Sequence, residues 1–193
     1  MDALVPHLVD ARHWATGWSF ACALVLAILS AVAYGLTGPN LRGSGLRHEL
    51  RREQPYLLYD RFEFDLPVGT GIKGAVGDCW DRYWVRILEM RESSRIVRQA
   101  ITQLPGGEIM AKSVRHLAFK CKAGEGYLGI ENPRGEYGYY LISEGGSNSY
   151  RSRIRAPSFC NLSILEAILP GTMLADAVAI IGSIDIVLGE VDR

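Results

Sequence analysis

The sequence predicts an α+β fold, helix-rich, with a long central helix and a small antiparallel sheet. Three observations carry that expectation. Apolar residues recur at three- and four-residue steps from Tyr83 to Leu104, behind a capping Asp78 and ahead of Pro105-Gly106-Gly107. Three runs with aromatic and β-branched character follow, "GYLGIEN", "EYGYYLISE" and "SYRSRIRA", and "GGSN" makes the turn between the last two. Two shorter helical stretches then close the chain.

Taken in order, "GLTGPNLRGSG" (Gly35–Gly45) reads as a Gly/Pro loop with no room for regular structure. "RHELRREQ" reads as a short helix or turn closed by Pro55. "LLYDRFEFDLPV" alternates well enough for an extended segment, and "GTGIKGAVGD" is loop again. Asp78 is a good helix N-cap, and Asp81 places a carboxylate where the helix dipole favours one. The helix that follows would be about 40 Å long at 1.5 Å per residue. Its apolar face is Tyr83, Trp84, Ile87, Leu88, Ser94, Val97, Ile101 and Leu104. Its other face carries Arg82, Arg86, Arg91, Arg95 and Arg98, either as a solvated face or as a contact surface for a partner. After the strands, Asn161 is placed to cap a short helix through Leu169, before Pro170-Gly171. A second helix runs from about Met173 to Ile181.

With 193 residues the chain is long enough for one domain with a real core, or one and a half. Lys plus Arg total 21 and Asp plus Glu total 21, so the net charge is zero, which argues against nucleic-acid binding. Cysteines stand at 22, 79, 121 and 160, too far apart for a zinc or iron–sulfur spacing and better suited to a reducing compartment. The 19 residues from Trp18 to Leu36 hold no charge. They suit a single membrane span, a cleaved signal peptide ending near "AVA", or a buried helix.

Few motifs carry chemistry. Gly69-Thr70-Gly71-Ile72-Lys73-Gly74 spells G-x-G-x-x-G, but the helix starts at Asp78 rather than at the third glycine, and no βαβ repeat surrounds it. His7, His13, His48 and His116 form no spaced pair, and G-x-S-x-G is absent. Arg134 sits between Pro133 and Gly135, where a turn aims a guanidinium at one place. It either binds an anion in two-point fashion or satisfies backbone carbonyls. Asp185 is the oddest residue. It stands between Ile184 and Ile186, ahead of Val187 and Leu188, and an unpaired buried carboxylate costs several kcal/mol. It needs a partner, a proton or a cavity.

Read together, "YGLTGPNLRGSG", "QPYLLYDRFEFDLPVG", "GDCWDRYWVRILEMRESSRIVRQ", "ENPRGEYGYYLIS", "RIRAPSFCNL" and "ADAVAIIGSIDIVLGEVDR" resemble one family in sequence order. It is the 49-kDa, quinone-pocket subunit of NADH–quinone oxidoreductase (respiratory complex I). The resemblance covers residues 34–193. Residues 1–33 do not resemble the family and stand where its amino-terminal half would be. A fragment or frameshifted reading, a split subunit, and a membrane-tethered variant are the three explanations. The fold implied is the carboxy-terminal part of a structure shared with the nickel–iron hydrogenase large subunit. Those enzymes carry D-P-C-x-x-C near the carboxy terminus. Here Val187 and Glu190 stand at the two cysteine positions, so this half-site cannot hold soft metals.

The resemblance implies a tentative quinone-cavity wall of Asp185, Val187, Leu188 and Arg134, with no catalytic residue and no metal on this chain alone. It implies quinone as substrate, no cofactor bound directly, and an iron–sulfur cluster and FMN on partner subunits. The partners it implies are the iron–sulfur quinone-site subunit, a 30-kDa-type subunit and the membrane arm. The place it implies is peripheral, at the cytoplasmic face of the inner (plasma) membrane. Burial would disfavour the charged form of Asp185 unless an arginine or histidine pairs with it. A related membrane-bound hydrogenase subunit and an inactive fragment are the rival readings.

Overall fold

Local signals set most element boundaries in the computed structural model, which describes residues 31–107 and 120–192. In chain order the elements are α1 (Gly38–Gly43), α2 (Leu50–Glu53), a 3-10 turn (Tyr59–Arg61), α3 (Cys79–Thr102), β1 (Gly124–Asn132), β2 (Gly135–Ser143), β3 (Arg151–Arg155), α4 (Pro157–Ser163), α5 (Leu165–Ile168), α6 (Leu174–Ile184) and α7 (Leu188–Val191). The fold is α+β, and the described strands form a three-stranded antiparallel sheet in the order β1-β2-β3.

Asp78 caps α3 as its position predicts, its carboxylate accepting from the Asp81 backbone N–H at 2.7 Å. The helix runs 24 residues. Asp81 is buried, and its carboxylate accepts from the N–H groups of Gly71 at 2.8 Å and Gly77 at 3.3 Å. The G-x-G-x-x-G loop therefore points one of its amides at an internal carboxylate. Asn132 pairs with Gly135, so Pro133 and Arg134 form the two-residue tip of the β1–β2 hairpin. Gly138 pairs with Arg155 and Ile142 with Arg151 across β2 and β3.

Three expectations need correction. Gly35–Gly45 is not loop throughout: Gly38–Gly43 is a helix, and all six residues are buried. Its glycines serve close backbone contact rather than flexibility. Gly38 has φ +66°, and a Cβ there would lie 2.4 Å from the Gly135 Cα. The faces of α3 are also redistributed. Val85 and Ile96 are buried, while Tyr83, Val97, Ile101 and Leu104 are exposed. Arg82 and Arg86, expected on the polar face, turn inward to α6. The reason is that the end of α6 offers two carbonyls and the Ser183 hydroxyl within reach of long donors on α3. Finally, Asn161 lies inside α4 and is buried, and it donates to the Arg134 carbonyl at 3.1 Å instead of capping a helix. Leu57–Val68 holds the 3-10 turn and joins no described sheet.

The core is small. Ala31, Leu36, Leu41, Ile164 and Ile184 form it, with Leu46, Ile168, Ile180 and Ile186 packed around them. Most of Trp18–Leu36 lies outside the described residues; Ala31 and Leu36, which are described, belong to this core. Among the described residues no helix is long and apolar enough to cross a membrane. Large apolar side chains stay exposed on α3 (Trp80, Met90, Val97, Ile101) and on α6 (Leu174, Val178).

Candidate functional site

The site is built around the end of α6. Asp185 terminates that helix by taking the left-handed conformation, φ +56° and ψ +58°, which a short polar side chain tolerates better than its apolar neighbours would. A helix end leaves carbonyls without intrahelical donors. Here Arg86 from α3 supplies them, Nη1 donating to the Ser183 carbonyl at 2.6 Å and Nη2 to the Ile184 carbonyl at 3.0 Å. Asn40 from α1 adds a bond to the Ile184 carbonyl at 2.9 Å and accepts from Arg86 Nη2 at 2.6 Å. Arg82 Nε donates to Ser183 Oγ at 2.9 Å. Two cations at a helix C-terminus also complement its dipole.

This arrangement presents the Asp185 side chain. Its carboxylate lies 3.4 Å from Arg134 Nη2 and 3.9 Å from Arg86 Nε. Arg134 Nε donates to the Asp185 carbonyl at 3.0 Å. The Arg134 turn is itself held, its backbone N–H donating to Asn132 Oδ1 at 3.3 Å and its carbonyl accepting from Asn161. Asp185 is thus paired twice and remains 41% exposed, and it lines a cavity. That resolves the oddity of a carboxylate among isoleucines.

The cavity has a volume of about 390 Å³ and is lined by Asp185, Arg86, Glu89, Met90, Ser93, Tyr59, Pro133 and Asn132, with Arg42, Arg51 and Glu131. That volume suits a small organic ring system. Arg86 Nε is buried and donates no hydrogen bond, its nearest charge being the Asp185 carboxylate at 3.9 Å. Burial pulls the Arg86 guanidinium below its ordinary value, while the Asp185 and Glu89 charges oppose that pull.

Behind the cavity lies a buried ionic cluster. Arg42 from α1 donates through Nε to Glu89 at 2.6 Å, and its Nη1 lies 2.7 Å from Glu49 and 3.2 Å from Glu131. Arg51 from α2 reaches Glu49 at 2.5 Å. Burial works against the Arg42 charge, but Glu89, Glu49 and Glu131 outweigh it and raise its value. Burial also pushes the Glu89 and Glu131 carboxyls upward, against the pull of Arg42. Among the described residues no group of His, Cys, Asp and Glu is arranged to hold a metal ion.

Of the residues singled out from sequence, Asp185 and Arg134 meet. Arg134, Val187 and Leu188 are not among the residues that line this cavity; Arg134 adjoins it through Asp185, and Val187 and Leu188 are exposed at the start of α7. That segment is anchored elsewhere, by Ser158 Oγ, which accepts from the Val187 N–H at 3.4 Å and donates to the Glu190 carboxylate. Sequence reasoning missed Arg86, Arg42, Glu89 and Glu131. The one available signal was that Glu131 opens the same "ENPRGEYGYYLIS" block as Arg134.

Comparison with known proteins adds an independent finding. The chain matches the family described as respiratory-chain NADH dehydrogenase, 49-kDa subunit, over residues 25–120 and 116–193. It is 54% identical to a NADH-quinone oxidoreductase subunit of this type from Herpetosiphon aurantiacus, across 84% of this chain and 43% of that protein. It is 48% identical to the corresponding NADH-quinone oxidoreductase subunit of Methylacidiphilum infernorum, across 84% and 43%. With the one from Opitutus terrae it shares 44% identity, across 88% and 44%. The chain therefore spans less than half the length of these curated relatives.

Proposed function

The chain belongs to the 49-kDa subunit family of respiratory-chain NADH dehydrogenases, and from that premise we propose that it forms one wall of the cavity in which NADH–quinone oxidoreductase reduces a quinone. The observation that supports this most is a cavity of about 390 Å³ lined by both Arg86 and Asp185, whose Nε and carboxylate lie 3.9 Å apart. A quinone carbonyl is an acceptor of the right kind, and reduction places negative charge on its oxygen. Arg86, which lines the cavity, and Arg134, which pairs with Asp185 beside it, put two guanidiniums near the site, held in place before the charge develops.

On this reading the chain itself carries no redox centre. Electrons arrive from an iron–sulfur cluster on a partner subunit, after NADH is oxidised at FMN on another. What these residues do is accept hydrogen bonds, donate them, and orient the headgroup. The exposed apolar faces of α3 and α6 fit a chain that packs against partner subunits in a peripheral arm. Val187 and Glu190 stand at the two thiolate positions of the hydrogenase motif, which disfavours a metal-bearing hydrogenase role.

The test is Asp185→Asn in the intact complex. The expected result is a drop in quinone reduction of about tenfold, equivalent to about 1.4 kcal/mol. NADH oxidation by an artificial acceptor that bypasses the quinone should be unchanged. Unaltered kcat and KM for quinone would overturn the reading.

A further inference from the structure

We propose that Ser158 and Asn161 on α4 are positioning residues that together fix Arg134 against Asp185; the consequence for catalysis rests on the quinone reading, the geometry does not.

α4 is an odd helix. Its buried side chains are Pro157, Ser158 and Asn161, while Phe159 is 61% exposed. A helix on a globular core ordinarily turns its apolar side chains inward and its polar ones out. Ser158 and Asn161 are both fully buried, and their three-residue spacing puts them on one face. Asn161 is also incompletely satisfied: its Oδ1 is buried and accepts no hydrogen bond among the described residues. An apolar side chain of like volume would avoid that cost. A local rule broken against stability points to a task other than stability.

The task is visible in what the two side chains hold. Asn161 Nδ2 donates to the Arg134 carbonyl at 3.1 Å, at the tip of the β1–β2 hairpin. Ser158 Oγ accepts from the Val187 N–H at 3.4 Å, two residues beyond Asp185, and donates to the Glu190 carboxylate. Arg134 closes the circuit, its Nε donating to the Asp185 carbonyl at 3.0 Å and its Nη2 lying 3.4 Å from the Asp185 carboxylate. The contacts form a ring: α4, the hairpin tip, Asp185, the start of α7, and α4 again. Each of the two chain segments that meet at the pair is therefore held by one residue of the same helix turn. The pair needs this. Its side chains are 30% and 41% exposed, and an ion pair so exposed favours its closed geometry by about fivefold at most. The hairpin is also fixed toward α1, where Thr37 Oγ1 accepts from the Glu136 N–H at 2.8 Å. What α4 adds is the distance from the hairpin tip to Asp185. On the quinone reading, a small misplacement of the two charges slows the step at which the quinone oxygen turns negative.

Two measurements test this, one of them without quinone. In the full chain, the Arg134 Nε–H is assigned by its loss in Arg134→Lys, and its exchange with solvent is followed by heteronuclear NMR. Asn161→Leu and Ser158→Ala should each speed that exchange about tenfold, and Ser158→Thr, which keeps the hydroxyl, should leave it slow. Leu nearly fills the volume of Asn, and the Ser158 variants carry the test if Asn161→Leu does not fold. Unchanged exchange in Asn161→Leu and Ser158→Ala would overturn the proposal. In the intact complex, NADH oxidation by an artificial acceptor counts the assembled enzyme. Per assembled enzyme, both variants should lower kcat for quinone about fivefold and leave KM within about twofold, as an interaction felt mainly in the transition state requires. If Asp185→Asn impairs quinone reduction while both α4 variants lose only assembled enzyme, α4 serves packing alone and the proposal fails. If Asp185→Asn is inert and the exchange still quickens, the quinone wall fails and the clamp on Arg134 stands.

Discussion

Glu89 and Glu92 stand less than one turn apart on α3, and each faces an arginine. Glu89 meets Arg42 at 2.6 Å, with side chains 17% and 1% exposed. Glu92 meets Arg95 at 3.4 Å, and Arg95 is 44% exposed. Arg95 also reaches Asp65 at 3.3 Å and Glu63 at 3.8 Å, both nearly fully exposed. Residue types are alike, yet the inner pair belongs to a cluster that joins α1, α2, α3 and β1. The outer one only ties a loop to its helix. This helix therefore has two halves in different environments. The half from Asp81 to Glu89 positions the site, and the half beyond it offers surface. Desolvation separates them: water screens the outer pair and cannot screen the inner one.

Breaking the inner cluster should have the largest effect. Arg42→Met leaves Glu49, Glu89 and Glu131 without their shared cation. Removing one partner of a buried ionic group costs about 3–5 kcal/mol, so urea denaturation should show most of the chain's stability lost. A smaller effect separates the two halves through pH. The Glu131 and Glu89 carboxyls are raised in the folded chain, so between the ordinary carboxylate value and the raised one the folded state binds more protons than the unfolded state. Their contribution is fully present below about pH 4.3 and is lost as pH rises through the raised values. Chemical denaturation across that window should show stability falling with pH, and Glu131→Gln should flatten the slope. The smallest effect belongs to the outer half. Arg95→Gln should change stability by about 0–1 kcal/mol and by less in high salt. A cost as large as that of Arg42→Met would erase the distinction between the halves.

Much of the fold was legible because its signals are local. Asp78 caps α3, Pro105 follows its end, and "GGSN" turns between β2 and β3, all within a few residues of what they control. The hidden parts depend on residues far apart in sequence. Gly38–Gly43 reads as loop because glycine and proline usually mean one, and only the approach of Gly135 explains the helix. Arg82 and Arg86 read as solvated because charges usually are, and their partners on α6, the Ser183 hydroxyl for Arg82 and the Ser183 carbonyl for Arg86, lie about a hundred residues away. Asp185 and Arg134 were readable from their odd settings as side chains in need of a partner, and they meet each other. Val187 and Leu188 came from the family resemblance, and beyond the left-handed turn at Asp185 they do not line the cavity.

Short-range signals alone were enough for the fold class, the long helix, the hairpin that carries Arg134 and the family to which the chain belongs. Caps, periodicity, turns and motif blocks can be read without knowing any distant partner. Which charges are buried was settled later, by folding. Packing buried Arg42 among three carboxylates, one of them 89 residues away, and left Arg95 in water. The energy of a charge depends on the medium around it, and that medium exists only once the chain has folded.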